Sequence, residues 1–263
     1  MKKIFATLLS TPNYLSGVKM LYRSLKYSGN TNHPFVCFCS KDLPQYCIDE
    51  LTTNGIQCIH LEHSALDGIP NITDIKNENY TNWIYTFDKL LLWGMSMYEK
   101  IIFLDSDMIV LKQIEELFEH PDMSAVQAGR FKYPDWVRLN SGCIVFSPNM
   151  TVLNGLLSTI PHAIEERQKK GYEVGDQDVL NYFFRTWPND IPLHLDECYN
   201  CFFTNLPEYK NYFGKSPKII HFIGSCKPWM YKGFFGEIIY IYRLLRYKRP
   251  CLFPYLYAKF LSV

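Results

Sequence analysis

Strand, helix, strand, helix and strand signals follow one another through residues 3–61, and few folds accept that order. Residues 3–9 are an apolar run that predicts a strand. Residues 15–28 carry Val18, Leu21, Tyr22 and Leu25 at helical spacing, and Gly29-Asn30 stops the helix. Pro34–Cys39 is a second short apolar run, residues 44–54 a second helix ending at Asn54-Gly55, and Ile56–Leu61 a third strand. This alternation predicts an α/β protein built on a parallel sheet. The start, Met1-Lys2-Lys3-Ile4-Phe5, mimics a secretory signal, but the apolar run stops at Ser10-Thr11-Pro12-Asn13. That is too short for a signal core, so it reads as the first buried strand.

Further on, residues 62–82 are polar and turn-rich, a loop over one sheet edge. A helix is expected over 84–97 and short ones over 114–118 and from Asp176 to about Trp187. Lys100-Ile101-Ile102-Phe103-Leu104 is the continuous apolar run of a strand buried on both faces. Asp105-Ser106-Asp107 interrupts it and Met108–Leu111 resumes it. Residues 124–128, 141–147 and 218–222 read as further strands. There is no internal repeat, low-complexity tract or Gly/Ser linker. Residues 1–231 therefore read as one domain, and 232–263 as a basic, aromatic helical extension.

That extension carries six basic residues and one acid. A helix there would be apolar on one side and basic on the other. It packs on the domain, or on a second subunit in a homodimer, or docks on an anionic membrane surface.

Composition excludes several classes. Of 263 residues, 48% are hydrophobic and 20% charged, which excludes wholesale disorder. With 27 basic and 26 acidic residues there is no global electrostatic grip on nucleic acid. No apolar run approaches the roughly 18 residues of a membrane span. The nine cysteines form no CxxC pair, and Cys37 and Cys39 share a strand face; they read as reduced, mostly buried thiols of a cytoplasmic protein, not a zinc site. Three sequons, at Asn71, Asn79 and Asn149, are not expected to be glycosylated without a signal.

Two carboxylates inside an apolar run are costly unless something compensates. Asp105 and Asp107 are either solvated in a turn or joined by a divalent cation. Hard oxygen donors suit Mg²⁺ or Mn²⁺, which keep a diphosphate as further ligand. The site would lie beyond the strand end. Three pieces bear on the choice. His221-Phe222-Ile223-Gly224-Ser225-Cys226-Lys227 offers an imidazole for the same ion, a glycine for close phosphate approach and a cation. Gly175-Asp176-Gln177-Asp178 offers a carboxylate that is either a helix cap or a sugar partner. Asn140 and Ser141 set donors and acceptors before the apolar run Cys143–Phe146.

In this order and spacing, the motifs of residues 3–229 resemble the glycogenin-type family-8 glycosyltransferases, which include galactinol synthases. The resemblance implies a single GT-A domain: a Rossmann-like, mixed but mostly parallel sheet flanked by helices, here with a C-terminal helical extension. It implies a retaining transferase that moves a hexose, glucose first, from a UDP-sugar to a carbohydrate, polyol or glycoprotein hydroxyl. Mn²⁺ is the implied cofactor, with Mg²⁺ as its substitute. A UDP-sugar hydrolase and a degenerate carbohydrate-binding relative are the alternatives.

Residue by residue, the resemblance places uracil and ribose against Leu8, Ser10, Thr11 and Tyr14. It places Lys89 near the donor sugar and diphosphate, Asp105, Asp107 and His221 on the metal, and Ser106 on the nucleotide. Asn140 and Ser141 become donor-sugar contacts, Asp176 and Gln177 the groups at the reacting carbon, Gly224 and Lys227 the diphosphate clamp, and Asn200 an acceptor-side contact. Some positions depart from the pattern. Glu173 stands where the family has a second, shorter carboxylate, Asp178 replaces a glycine, and Tyr80 replaces an arginine. Tyr209 and Tyr212 are out of register for an acceptor tyrosine, which implies a distinct acceptor rather than self-glucosylation.

Overall fold

Residues 2–69, 84–127, 135, 137–224, 227–230 and 233–263 are described by a computed structural model. Its first elements follow the expected alternation: β1 (Lys2–Leu9), α1 (Leu15–Tyr27), β2 (Phe35–Cys39), α2 (Gln45–Thr53) and β3 (Gln57–His60). A run of 3-10 turns (Ile84–Gly94) leads into β4 (Tyr98–Leu104), β5 (Met108–Val110), β6 (Ser124–Gln127) and β7 (Leu139–Phe146). Then come α3 (Met150–Lys169), α4 (Asp176–Phe183), β8 (His194–Leu195), β9 (Cys201–Phe202), α5 (Leu206–Phe213), β10 (Ile219–His221), α6 (Phe234–Tyr247) and α7 (Arg249–Leu261).

The main sheet has the order β3–β2–β1–β4–β7–β6–β8. β3, β2, β1 and β4 are parallel, and β7 pairs antiparallel with both β4 and β6. The two-residue period of β1 feeds two cores. Ile4, Ala6 and Leu8 face the layer that holds Trp93 and Leu156; Phe5 and Leu9 face α1 and α2 through Val18, Leu21 and Cys47. Both faces are therefore covered, which is why the strands read as continuous apolar runs.

β5 does not resume β4. After Asp105-Ser106-Asp107 the chain leaves the main sheet and enters a second one, ordered β5–β10–β9. His221 in β10 lies opposite Met108 in β5. The carboxylate pair thus sits where one sheet hands the chain to the other.

Other expectations need correction. The helix expected over 84–97 is a 3-10 run ending at Gly94, and the one from Asp176 ends at Phe183. Helix α3 was not expected at all, because Pro161 interrupts its pattern; its cap is Asn149, whose Oδ1 accepts from the backbone of Thr151 (2.8 Å) and Val152 (3.2 Å). That sequon side chain is a structural cap. Asn71, Asn79, Tyr80 and the loop beyond residue 69 lie outside the described residues. The cysteines among the described residues are free thiols, and Cys37 and Cys39 are both buried.

The extension is two helices, broken at Lys248 before Pro250. Helix α7 packs inward: Cys251, Tyr255, Ala258 and Leu261 join Met20, Phe203 and Phe222 in a third core. Arg23 caps its end, Nη1 donating to the Leu261 carbonyl at 2.7 Å.

Candidate functional site

Four chain segments meet where β4 ends. The Asp105 backbone N–H donates to the Gly142 carbonyl (2.8 Å), tying the turn to β7, and Phe222 N–H donates to the Asp107 carbonyl (2.9 Å), tying it to β10. Helix α1 lies over the turn at Gly17, where an added Cβ would stand 2.5 Å from the Ser106 carbonyl oxygen. A side chain there would push the turn away.

These ties bring Asp105, Asp107 and His221 together, with one ligand atom from each all within 4.8 Å of one another. His221 Nε2 lies 2.9 Å from Asp107 Oδ1 and 3.8 Å from Asp105 Oδ2. The ring is aimed from behind. Asn200 Oδ1 is 3.0 Å from Nδ1, and Asn200 Nδ2 donates to Asn140 Oδ1, which also accepts from Gly142 N–H. An amide oxygen only accepts, so Nδ1 carries its proton and Nε2 is the atom presented to the carboxylates.

Lys89 is buried at the other flank. Its ammonium lies 2.9 Å from Asp105 and 2.8 Å from Asp176, and donates to the Ser141 carbonyl (3.1 Å). Burial would lower its pKa, but the two carboxylates win and raise it, so the cation is kept. Asp176 opens α4 and is anchored through its backbone N–H to Thr86 Oγ1 (3.1 Å). Gln177 Oε1 accepts from the Ser141 N–H (3.2 Å). Lys227 is buried beside Asp107 and bonds both its carboxylate and the Phe222 carbonyl. The Lys227 ammonium also sits over the Tyr14 ring at 5.5 Å, and Tyr14 packs edge-on against Trp229.

The two metal-pair carboxyls have opposite environments. Burial pushes Asp105 up despite Lys89 and His221. Burial acts the same way on Asp107, but His221 and Lys227 outweigh it and hold that carboxyl well below the usual range. Two carboxylate oxygens and an imidazole nitrogen on one small volume are a donor set for a divalent ion such as Mn²⁺. A bound cation would also favour the ionised form of the half-buried Asp105. The residues fit the group.

The expected residues separate cleanly. Lys89, Asp105, Asp107, Asn140, Ser141, Asp176, Gln177, Asn200, His221 and Lys227 form one bonded cluster, with Tyr14 against it. Ser106 is buried in the turn itself, and Leu8 is a buried residue of β1 with Ser10 and Thr11 following. Gly224 has φ +73°, a backbone setting that favours glycine. Glu173 is solvent-exposed; its backbone carbonyl accepts from Arg167, and no contact ties it to the cluster among the described residues. Asn200, expected on the acceptor side, bonds His221 and Asn140. The unexpected members are Thr86, Gly17 and Gly142; an added Cβ at Gly142 would lie 2.8 Å from His221 Cε1. Only helical register could have flagged Gly17, and nothing local flags the other two.

Comparison with known proteins shows the family and the fold. The family model "Glycosyl transferase family 8" matches residues 6–233. Glycogenin-1 of Caenorhabditis elegans is 34% identical over 239 residues, covering 87% of this chain and 51% of that protein. The putative UDP-glucuronate:xylan alpha-glucuronosyltransferase 3 of Arabidopsis thaliana is 30% identical over 237 residues, 87% of this chain and 35% of that protein. The chain thus spans about half and about a third of the length of these two relatives. Among solved structures, galactosyltransferase LgtC in complex with donor and acceptor sugar analogs superposes with a TM-score of 0.59 at 17% identity, covering 95% of each chain. The fold is that of GT-A glycosyltransferases, and the chain belongs to glycosyl transferase family 8.

Proposed function

We propose that this chain transfers a hexose, with glucose the first candidate, from a UDP-sugar to an acceptor hydroxyl, with Mn²⁺ bound by Asp105, Asp107 and His221 and with retention at the anomeric carbon. The observation that carries this is the convergence of those three ligands beside two buried lysines and a third carboxylate. When bound, the ion would neutralise charge developing on the departing diphosphate.

The chain's own groups divide the remaining work. Leu8, Ser10, Thr11 and Tyr14 line the start of the sheet's ligand edge and receive uracil and ribose. Lys227 turns from Asp107 to phosphate oxygens, and Gly224 lets the backbone approach them. Lys89 holds Asp105 and Asp176 on either side of itself, so the Asp176 carboxylate points to the donor sugar, where positive charge spreads over the ring. Gln177, Ser141 and Asn140 fix that sugar's hydroxyls. Retention follows from attack on the same face as departure.

The acceptor is a separate molecule, a carbohydrate, polyol or glycoprotein. Tyr209, one of the two tyrosines closest to the family's acceptor segment, is 2% exposed and packed in the third core, unsuited to receive sugar. Cytoplasmic location is part of this reading; no helix among the described residues is long and apolar enough to cross a membrane.

The test is UDP release from UDP-glucose, UDP-galactose and UDP-N-acetylglucosamine with Mn²⁺, with and without candidate acceptors, for the parent and Asp107→Ala. Acceptor-stimulated release with one donor, lost on chelation and in the variant, is expected. Full activity of Asp107→Ala refutes the site; release that ignores every acceptor favours the hydrolase.

A further inference from the structure

Helix α6 is turned inside out for a surface helix. Phe234, Phe235, Ile238, Ile239, Tyr242 and Leu245 are all exposed, Phe235 at 77% and Tyr242 at 59%. At 3.6 residues per turn they fall within about 140° of the helix circumference. The opposite side holds Glu237 and Leu244, both buried. A soluble surface helix puts its apolar stripe inward, and this one puts it outward.

The setting is locked rather than incidental. The Glu237 carboxylate accepts from the Tyr255 hydroxyl at 3.0 Å and pairs with Lys259 at 3.0 Å, both on α7. Rolling α6 to bury its aromatic face would bring that carboxylate out of this pairing. Helix α7 is itself fixed in the third core. The outward apolar face is therefore part of the fold.

Charge says what covers it. From Ile238 to Val263 there is no Asp or Glu, whereas Arg243, Arg246, Lys248 and Arg249 are exposed at the C-terminal end of α6. On the helix projection Arg246 falls inside one margin of the apolar arc, between Phe235 and Ile239, and Arg243 about 40° beyond it. The same face of a second copy would offer these cations no carboxylate, since residues 238–263 hold none and Glu237 is buried. Aliphatic and aromatic side chains with cations along one margin and at one end match acyl chains beneath anionic headgroups.

We propose that α6 lies in the plane of an anionic membrane surface. Phe234, Phe235, Ile238, Ile239, Tyr242 and Leu245 enter the headgroup boundary, and Arg243, Arg246, Lys248 and Arg249 meet lipid phosphate. The transfer site belongs to the sheets, so this docking stands apart from the proposed reaction.

The test is flotation of the full chain with phosphatidylcholine vesicles, with or without about one third phosphatidylglycerol. The parent floats with the anionic vesicles, about tenfold more than with neutral ones, and salt weakens it. Ile239→Glu and the pair Arg243→Glu with Arg246→Glu stay in solution while melting and releasing UDP as the parent does. Absence of flotation with anionic vesicles, or equal flotation of parent and Ile239→Glu, overturns the proposal. So does a parent dimer that Ile239→Glu splits to monomer without any vesicle binding, which would assign the face to a second copy.

Discussion

Gly142→Ala is the sharpest probe of the metal ligand geometry. The new Cβ would stand 2.8 Å from His221 Cε1, 2.8 Å from Met108 Cε and 3.0 Å from Asn140 Oδ1, where ordinary contact begins at 3.4 Å. Met108 ends in a flexible thioether and yields easily. The imidazole does not, being held at 3.0 Å by Asn200 and 2.9 Å by Asp107. To clear the methyl it must retreat by about 0.6 Å, against a tolerance of about 0.2 Å in metal–ligand distance. Overpacking of this kind costs about 1–3 kcal/mol, and disturbing a ligand's support costs about 10–100-fold in metal affinity. Mn²⁺ titration in the presence of UDP, read by loss of the free-ion paramagnetic resonance signal, should show that weakening, while thermal melting falls by only a few degrees. If the variant binds Mn²⁺ within about twofold of the parent, the imidazole is not a ligand and the argument from convergence fails.

Three other outcomes follow from the same geometry. Asn200→Ala strands the buried Nδ1–H of His221 and should weaken Mn²⁺ about tenfold or more, with Asn200→Asp restoring much of it; unchanged affinity of both would remove the aiming role. Gly17→Ala, which in an open helix would stabilise by about 1 kcal/mol, should lower the melting temperature, because its Cβ meets the Ser106 carbonyl at 2.5 Å; a rise would contradict the close approach. Glu116 is held below its ordinary pKa: burial opposes this, but Lys218 and the Tyr199 hydroxyl, donating at 2.8 Å, prevail. A depressed carboxyl contributes above its unfolded value and loses that contribution as pH falls; solvent screening of this half-exposed side chain limits the cost of Glu116→Gln at neutral pH to about 0.5 kcal/mol. The gap should close on acidification below about pH 4.5. A gap independent of pH in denaturant titrations would assign the loss to packing instead.

The first half of the sheet was legible because its signals are local. Apolar runs at 3–9, 34–39 and 100–104, each bounded by a turn, became β1, β2 and β4 within a residue or two. What failed depends on distant partners. β5 looks like a continuation of β4 until β10, more than a hundred residues later, pairs with it antiparallel. Two-residue strands such as β8 and β9 have no pattern of their own and exist only because β6 and β10 recruit them. Helix α3 was hidden by Pro161, a helix breaker by propensity that twenty residues of cap and packed face overrode.

The site divides along the same line. Residue types announce ligand chemistry, so Asp105, Asp107, His221 and Lys227 stood out, whereas Lys89 came only with the family resemblance. The groups that aim them do not. A glycine at 142 carries no chemistry in sequence, and Asn200 was placed on the acceptor side by resemblance alone, yet one leaves room for the imidazole and the other bonds its Nδ1. Lys89 shows why contact matters beyond type: a lone lysine near a diphosphate would read as a clamp, whereas here it is buried between Asp105 and Asp176, 2.9 and 2.8 Å from them, and is already paired with both carboxylates. Lys227 sits on the far side of Asp107, bonded to that carboxylate and to the Phe222 carbonyl. The two lysines are therefore unequal, and exchanging Lys89 for Arg should disturb the cluster more than the same exchange at Lys227, since a planar guanidinium cannot fill a point-charge socket closed by Ser141 and Phe103.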